Sequence, residues 1–302
     1  MDLAERVSSE ALRARLAQLC DDDPGTLVLS WMLGPSGLLV WAQSAALARN
    51  PEFRECIPPI PPPELRGITA SPEEEVFLWS GLVDLDQFLG IYERVRTTTT
   101  SAKTRVLDFA CGCGRLSRYL NDLDSVEAVG LDANPRLVAW CQDNLKRVRT
   151  LVNPLQPPMP LPDASIDLAY SLSLFTHLSE EVTKQWFADL ARVLVRGGTL
   201  LVTTHGAQAL SIIRGSSVHR ELFDLDEKAA DDLIYRLPNE GFLYRRCNPD
   251  VLAMANVGSD YGYSFIDEKY IASTWNDGQF EVIEHLPGGL RGWQDIVVLR
   301  RL

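Results

Sequence analysis

The chain has 302 residues, 46% of them apolar, which is enough for a sizeable core in one large domain or one domain with a cap. Lys and Arg total 29 against 41 Asp and Glu, giving a net charge of -12 with no basic stripe, which argues against nucleic acid as a partner. The six cysteines (Cys20, Cys56, Cys111, Cys113, Cys141 and Cys247) show no C-x-x-C spacing, so neither a zinc site nor a disulfide framework is indicated; with an amino end unlike a secretory leader, a reducing cytoplasm is the expected compartment.

Residues 1–100 read as a helical cap followed by a proline-rich linker. Met1 to Asp23 alternates charged and apolar residues at helical spacing. Thr26 to Ala48 then runs 23 residues without a charge, long enough to span a bilayer, but Gly34-Pro35-Ser36-Gly37 divides it. A buried helical hairpin is therefore expected, and membrane contact is not. Ile57 to Pro63 must be extended, because proline fixes φ and disfavours helix in the residue before it. Ser71-Pro72-Glu73-Glu74-Glu75 predicts a helix start with Ser71 as cap, continued by an apolar face of Phe77, Leu78, Leu82, Leu85, Phe88, Leu89 and Tyr92. Thr97 to Lys103 is polar and irregular and leads into residues 101–302, the main domain.

From Arg105 strand and helix alternate, which predicts a doubly wound, mostly parallel α/β sheet. Arg105 to Phe109 is a buried strand ending in Asp108. Cys111-Gly112-Cys113-Gly114 then opens a helix with Leu116, Tyr119, Leu120 and Leu123 on one face. Val126 to Leu131 is a second strand, ending in Asp132; Asn134 caps and Pro135 begins the next helix. Thr150 to Val152 and Ile166 to Tyr170 are further strands. Ser179 starts a helix bearing Val182, Trp186, Leu190 and Val193, with Gly197-Gly198 as its stop, and Thr199 to Thr203 is the fifth strand. Residues 205–266 break the rhythm and read as an insertion over the strand ends, with a mixed acidic helix over Asp226 to Leu237. A helix near Glu268 to Trp275 follows. Phe280 to Glu284 and Asp295 to Leu299, joined through a turn at Pro287-Gly288-Gly289, predict an antiparallel pair.

Two glycines at a helix start and a second acid 24 residues after Asp108 first suggest a dinucleotide site. A nicotinamide loop, however, wants a third glycine where this chain has Ser117. A carboxylate at Asp108 also opposes a pyrophosphate and suits a ligand carrying an ammonium and a sulfonium, which favours S-adenosylmethionine. Val106-Leu107-Asp108-Phe109-Ala110-Cys111-Gly112-Cys113-Gly114-Arg115, with Gly130-Leu131-Asp132-Ala133-Asn134 and Arg196-Gly197-Gly198-Thr199-Leu200, resembles the class I S-adenosylmethionine-dependent methyltransferases over about Arg105 to Thr204. The resemblance implies a Rossmann-like seven-stranded sheet whose last strand is antiparallel. It places Asp108, Ala110 and Gly112 at the methionine part of the cofactor, with Gly114 also among the cofactor-binding residues, Asp132 on the ribose hydroxyls, and Asn153 and Leu155 about the adenine. Ser171 is expected near the sulfonium. Ala110 stands where the family more often has glycine, and Asn153 where many relatives have aspartate.

Methyl transfer can rest largely on holding the acceptor in line with the methyl group, which supplies on the order of 7–11 kcal/mol. For an oxygen acceptor His177, just after the fourth strand, is the first candidate base and His205, at the end of the fifth, the second. Tyr261 and Tyr263 are candidates for shaping an acceptor pocket built from the cap and the insertion, whose apolar and aromatic character favours a small-molecule acceptor. His219 and His285 read as structural. Two other readings stay open at this level: a cofactor-binding relative with other chemistry, and a regulatory or scaffold protein that keeps the fold without the activity.

Overall fold

Residues 58–97, 103–247 apart from 122 and 124, and 261–302 are described by the computed structural model of the chain. The amino-terminal helices, the uncharged stretch over 26–48 and most of 97–103 lie outside the described residues. In chain order the sheet strands are β1 (Thr104–Phe109), β2 (Val126–Asp132), β3 (Val148–Val152), β4 (Ile166–Ser171), β5 (Leu194–Thr204), β8 (Phe280–Leu290) and β9 (Gln294–Arg301). A separate antiparallel ribbon within the insertion pairs β6 (Phe242–Arg246) with β7 (Gly262–Ile266). The seven sheet strands lie in the order β3-β2-β1-β4-β5-β9-β8, and β9 runs against both its neighbours. This is the mostly parallel sheet with a reversed last strand that the resemblance implies.

Consecutive strand residues point to opposite faces, and helices cover both. Val106, Leu168, Tyr170 and Val298 pack on one face against α2 (Glu74–Val95), through Leu85, Phe88 and Leu89, and against the single turn α3 (Ser117–Leu120). Leu107, Ala169, Leu200 and Val297 pack on the other against α5 (Glu180–Val193), through Trp186, Phe187 and Leu190, and against Ile271 of α9 (Glu268–Thr274). The predicted caps hold: Asn134 accepts the Arg136 N–H at the start of α4 (Pro135–Asn144), and Ser179 accepts the Val182 N–H of α5.

Four local readings need correction. Pro63 does not prolong the extended strap; it is the first residue of a short helix, α1 (Pro63–Thr69), a position where a missing N–H costs nothing. Helix α2 begins at Glu74 without a Ser71 cap, because the Arg66 guanidinium takes the Pro72 carbonyl at 2.6 and 2.9 Å and holds that segment extended. Gly197-Gly198 does not stop α5, which ends at Val193. The pair lies in β5, where the pairing with β4 steps from Ile166↔Leu194 to Leu168↔Thr199 and the extra residues bulge out, with Gly197 at φ 78°. Pro287-Gly288-Gly289 likewise belongs to a bulge inside β8, and the chain reverses only after Leu290.

The insertion carries α6 (Ala207–Gly215), α7 (Ser217–Leu222) and α8 (Glu227–Glu240) over a small core of its own, including Leu210, Phe223, Leu233, Leu243 and Phe265. It is stitched to the segment after β4: the Gly262 N–H donates to the His177 carbonyl and the Ser264 N–H to the Thr176 carbonyl, both at 2.8 Å. On the opposite side of the sheet α2 is fixed by a buried ion pair, Arg115 Nη1 to Asp84 Oδ2 at 2.7 Å, with Arg291 Nε at 3.0 Å from the other carboxylate oxygen. Among the described residues no helix is long and apolar enough to cross a membrane.

Candidate functional site

The carboxyl ends of β1, β2 and β4 meet where the strand order reverses, the position at which open α/β sheets bind ligands. A cavity of about 290 Å³ opens there, lined among others by Phe109, Ala110, Asp132, Asn153, Leu155, Leu178, Trp186 and Tyr261. Ala110, the first residue of the loop after β1, forms part of its wall. Ala110, Gly112 and Gly114 all adopt positive φ (69°, 58° and 79°), and the Ala110 and Cys111 N–H groups donate to the Leu131 carbonyl, so β2 fixes the curl. For Ala110 this left-handed backbone costs roughly 1–2 kcal/mol that glycine would not incur.

Four expected cofactor residues line the cavity: Ala110, Asp132, Asn153 and Leu155. Asp132 braces the loop, accepting the Gly112 N–H on Oδ2 and the Asn134 N–H on Oδ1, both at 2.8 Å. Burial raises its carboxyl above the ordinary carboxylate range against the pull of those two donors. The Asn153 amide donates to the Pro154 carbonyl at 3.0 Å, while its Oδ1 is buried with no hydrogen-bond partner. An orphaned acceptor in a cavity wall is what an adenine amine requires. Leu155 stands half exposed at the mouth.

Asp108 lies beneath the loop, buried, with the Ser117 hydroxyl donating to Oδ2 at 2.6 Å. Burial pushes its carboxyl up to about 6; the Ser117 hydroxyl pulls the other way, and the Asp132 charge adds to the rise. Ser171, expected near the sulfonium, is fully buried and donates to the Phe109 carbonyl at 2.8 Å, so it shapes the backbone of the cavity wall and does not line it. Gly112 and Gly114 do not line it either. A Cβ on Gly112 would fall 2.4 Å from Thr69 Cγ2, and one on Gly114 would fall 2.5 Å from Leu145 Cδ1. Both glycines make room for packing within the chain.

Neither candidate base lines the cavity. His177 is stacked on Tyr261, ring centroids 4.4 Å apart, with Nδ1 2.8 Å from the Gly262 carbonyl. Burial pushes its imidazole down to about 4 despite that carbonyl, so the ring is neutral, with hydrogen on Nδ1 and a lone pair on Nε2. His205 is boxed by the rings of Phe223, Phe265 and Trp293, its Nδ1 has no hydrogen-bond partner, and burial, with the nearby His177, drives it down to about 3. Trp186 and Leu178 are cavity residues that sequence reading missed. Trp186 recurs at helical spacing like the core residues of α5, and only its edge-on contact with Phe109 of β1, 5.0 Å between centroids, turns it toward the cavity.

The sheet order, the curled loop and the acid ending β2 define a Rossmann-like methyltransferase domain. Residues 106–198 match the sequence profile of a methyltransferase domain. The chain is 29% identical over 156 residues, 51% of its length and 53% of the relative's, to a probable S-adenosylmethionine-dependent methyltransferase of Mycobacterium tuberculosis strain H37Rv. It is 30% identical over 137 residues to one of Mycolicibacterium smegmatis, covering 45% of this chain and 51% of that one. The chain thus spans about half the length of the curated relatives it matches. Among solved structures, a methyltransferase of this kind from Methanosarcina mazei aligns with 70% of this chain and 97% of its own at 17% identity and a TM-score of 0.47. Residues 106–198 thus carry a methyltransferase domain, and the relatives the chain is similar to are named as dependent on S-adenosylmethionine as cofactor. The residues present fit that cofactor through the Asn153 orphan acceptor and the two carboxylates, Asp108 and Asp132, kept up by burial.

Proposed function

We propose that this protein transfers a methyl group from S-adenosylmethionine to a small-molecule acceptor. The observation that carries the reading is the pairing, in one cavity wall, of the Asp132 carboxylate with the unpartnered amide oxygen of Asn153, a match for ribose hydroxyls on one side and an adenine amine on the other. When bound, the cofactor supplies a methyl on a sulfonium, displaced in line by the acceptor. The chain's part is to orient: Asp108 attracts the ammonium end, Asp132 and Asn153 fix the nucleoside, and Ala110 with Gly112 and Gly114 curves the loop to follow the ligand.

In this reading residues 1–100 form the cap, residues 101–302 the methyltransferase domain, and the insertion over 205–266 supplies part of the acceptor site through Tyr261. Positioning is the main catalytic contribution. His177, neutral and with Nε2 as acceptor, is assigned the acceptor's proton where that atom is oxygen; His205, enclosed by rings, serves as the wall behind it. The buried free thiols of Cys111, Cys113, Cys141 and Cys247 suit a reducing cytoplasm. Calorimetry with S-adenosylmethionine tests the first half, and no heat of binding at millimolar ligand sinks it in favour of a scaffold. Transfer of label from methyl-labelled cofactor into a small-molecule extract tests the second; binding without transfer favours other chemistry on the same cofactor.

A further inference from the structure

One wall of the cavity is supplied from far along the chain. Tyr261, just ahead of β7 in the insertion, lines the same space as Asp132 at the end of β2 and Asn153 just after β3. Its place is fixed twice over. The backbone bridges antiparallel to Leu178, another cavity residue, and the next N–H, that of Gly262, donates to the His177 carbonyl at 2.8 Å. The ring lies flat on the His177 imidazole, centroids 4.4 Å apart and planes 12° from parallel. That imidazole is itself held by the Gly262 carbonyl at 2.8 Å, so neither ring turns without the other.

The Tyr261 hydroxyl has no hydrogen-bond partner among the described residues. Burial raises its phenol above the ordinary range, and the Cys247, Asp132 and Tyr263 groups add to the rise, so at neutral pH it keeps its hydrogen. The Asp132 charge is thus felt at the phenol across the cavity. A donor held rigid between apolar neighbours such as Leu178 and Trp186, and left unpaired, calls for a partner from outside the chain.

A cavity of about 290 Å³ is at the small end for a ligand site and has room for one ligand, not for two side by side. Whatever meets Asp132 and Asn153 there also meets Tyr261. Asp132 and the Asn153 amide oxygen offer only acceptors, whereas a ribose hydroxyl that gives its hydrogen to a carboxylate keeps lone pairs on its oxygen that a donor can take up. Resting on the cofactor reading above, we propose that Tyr261 is a cofactor-binding residue, its hydroxyl donating to the oxygen of a ribose hydroxyl whose hydrogen goes to Asp132. The insertion then grips the cofactor as well as bounding the acceptor site.

Tyr261→Phe removes the hydroxyl and keeps the ring that stacks on His177. Calorimetry with S-adenosylhomocysteine, the demethylated cofactor, should show the variant binding several-fold more weakly than wild type, up to about tenfold. The 2′-deoxy and 3′-deoxy forms of that ligand locate the contact: with the form that lacks the bonded oxygen, variant and wild type should bind alike. A variant that takes S-adenosylhomocysteine as tightly as wild type overturns the assignment. So does a loss that persists with both deoxy ligands, which is what a contact elsewhere on the molecule, or a general loosening of the fold, would give. Wild type that takes no cofactor at millimolar concentration overturns the cofactor reading and this contact with it, whereas wild-type binding with an indifferent Tyr261→Phe overturns the contact alone.

Discussion

Asp108→Asn should make the protein more stable and the cofactor site worse. The Asp108 carboxyl stands at about 6 in the fold against an ordinary 3.8. A carboxyl raised by folding is best accommodated protonated, so its contribution to stability is fully present at low pH and is lost as pH rises through about 6. The difference of roughly two units corresponds to about 3 kcal/mol by which the ionised group disfavours the fold at neutral pH. The amide keeps the shape and can still accept from the Ser117 hydroxyl, 2.6 Å away, without the charge. Denaturant titration at about pH 7.5 should place Asp108→Asn above wild type by up to about 3 kcal/mol, with the gap closing near about pH 4. Calorimetry should show S-adenosylmethionine binding weakened by about 1.5–3 kcal/mol, the worth of a charged hydrogen bond to the ammonium. A variant less stable than wild type at neutral pH, or a gap independent of pH, would refute the account of Asp108 as a carboxylate kept ready for a cation.

Asp132→Ala removes the acceptor of the Gly112 and Asn134 N–H groups as well as the carboxylate proposed to hold the ribose, and cofactor affinity measured by calorimetry should fall by roughly 1–3 kcal/mol. Ala110→Gly relieves a β-carbon at φ 69° and should raise stability by up to about 1 kcal/mol after the added freedom of the unfolded chain is subtracted; a lowered melting temperature would contradict it. Asp84→Ala strands the buried Arg115 guanidinium and should cost about 3–5 kcal/mol in denaturant unfolding, since breaking a buried pair leaves a charge uncompensated.

The middle of the sheet was legible because β1, β4, the second half of β5 and β9 are near-continuous buried runs, and α4 and α5 because Asn134 and Ser179 announce them. Helix α1 was not, since a proline closing a proline run and a proline opening a helix read alike until Arg66 is seen bonding the carbonyls on either side. Gly197-Gly198 and Gly288-Gly289 are turn signals by composition, and only the cross-strand partners show that they bulge within β5 and β8. In the site, Asp132, Asn153 and Leu155 follow from strand ends and so from sequence. Tyr261, a candidate from its place in the insertion, also lines the cavity, whereas Trp186 and Leu178 depend on which way a helix face and a loop turn, which no local pattern encodes.

The loop glycines and the acids beside them divide the work differently from what spacing alone suggests. Gly112 and Gly114 are demanded by Thr69 and Leu145, so a glycine pair at that spacing does not by itself identify the ligand. In the proposed reading the discrimination lies in Asp108 and Asp132. Asp108 is buried and Asp132 half-buried, both are raised chiefly by desolvation, and at Asp108 the Ser117 hydroxyl and the Arg115 guanidinium pull down while the charge of Asp132 pushes up. An anionic pyrophosphate would deepen that penalty, whereas a ligand bearing an ammonium and a sulfonium relieves it. In the proposed reading the fold carries an electrostatic cost at neutral pH that a cationic cofactor offsets, and selectivity for that cofactor would follow from the unbound site's discomfort as much as from the contacts it makes.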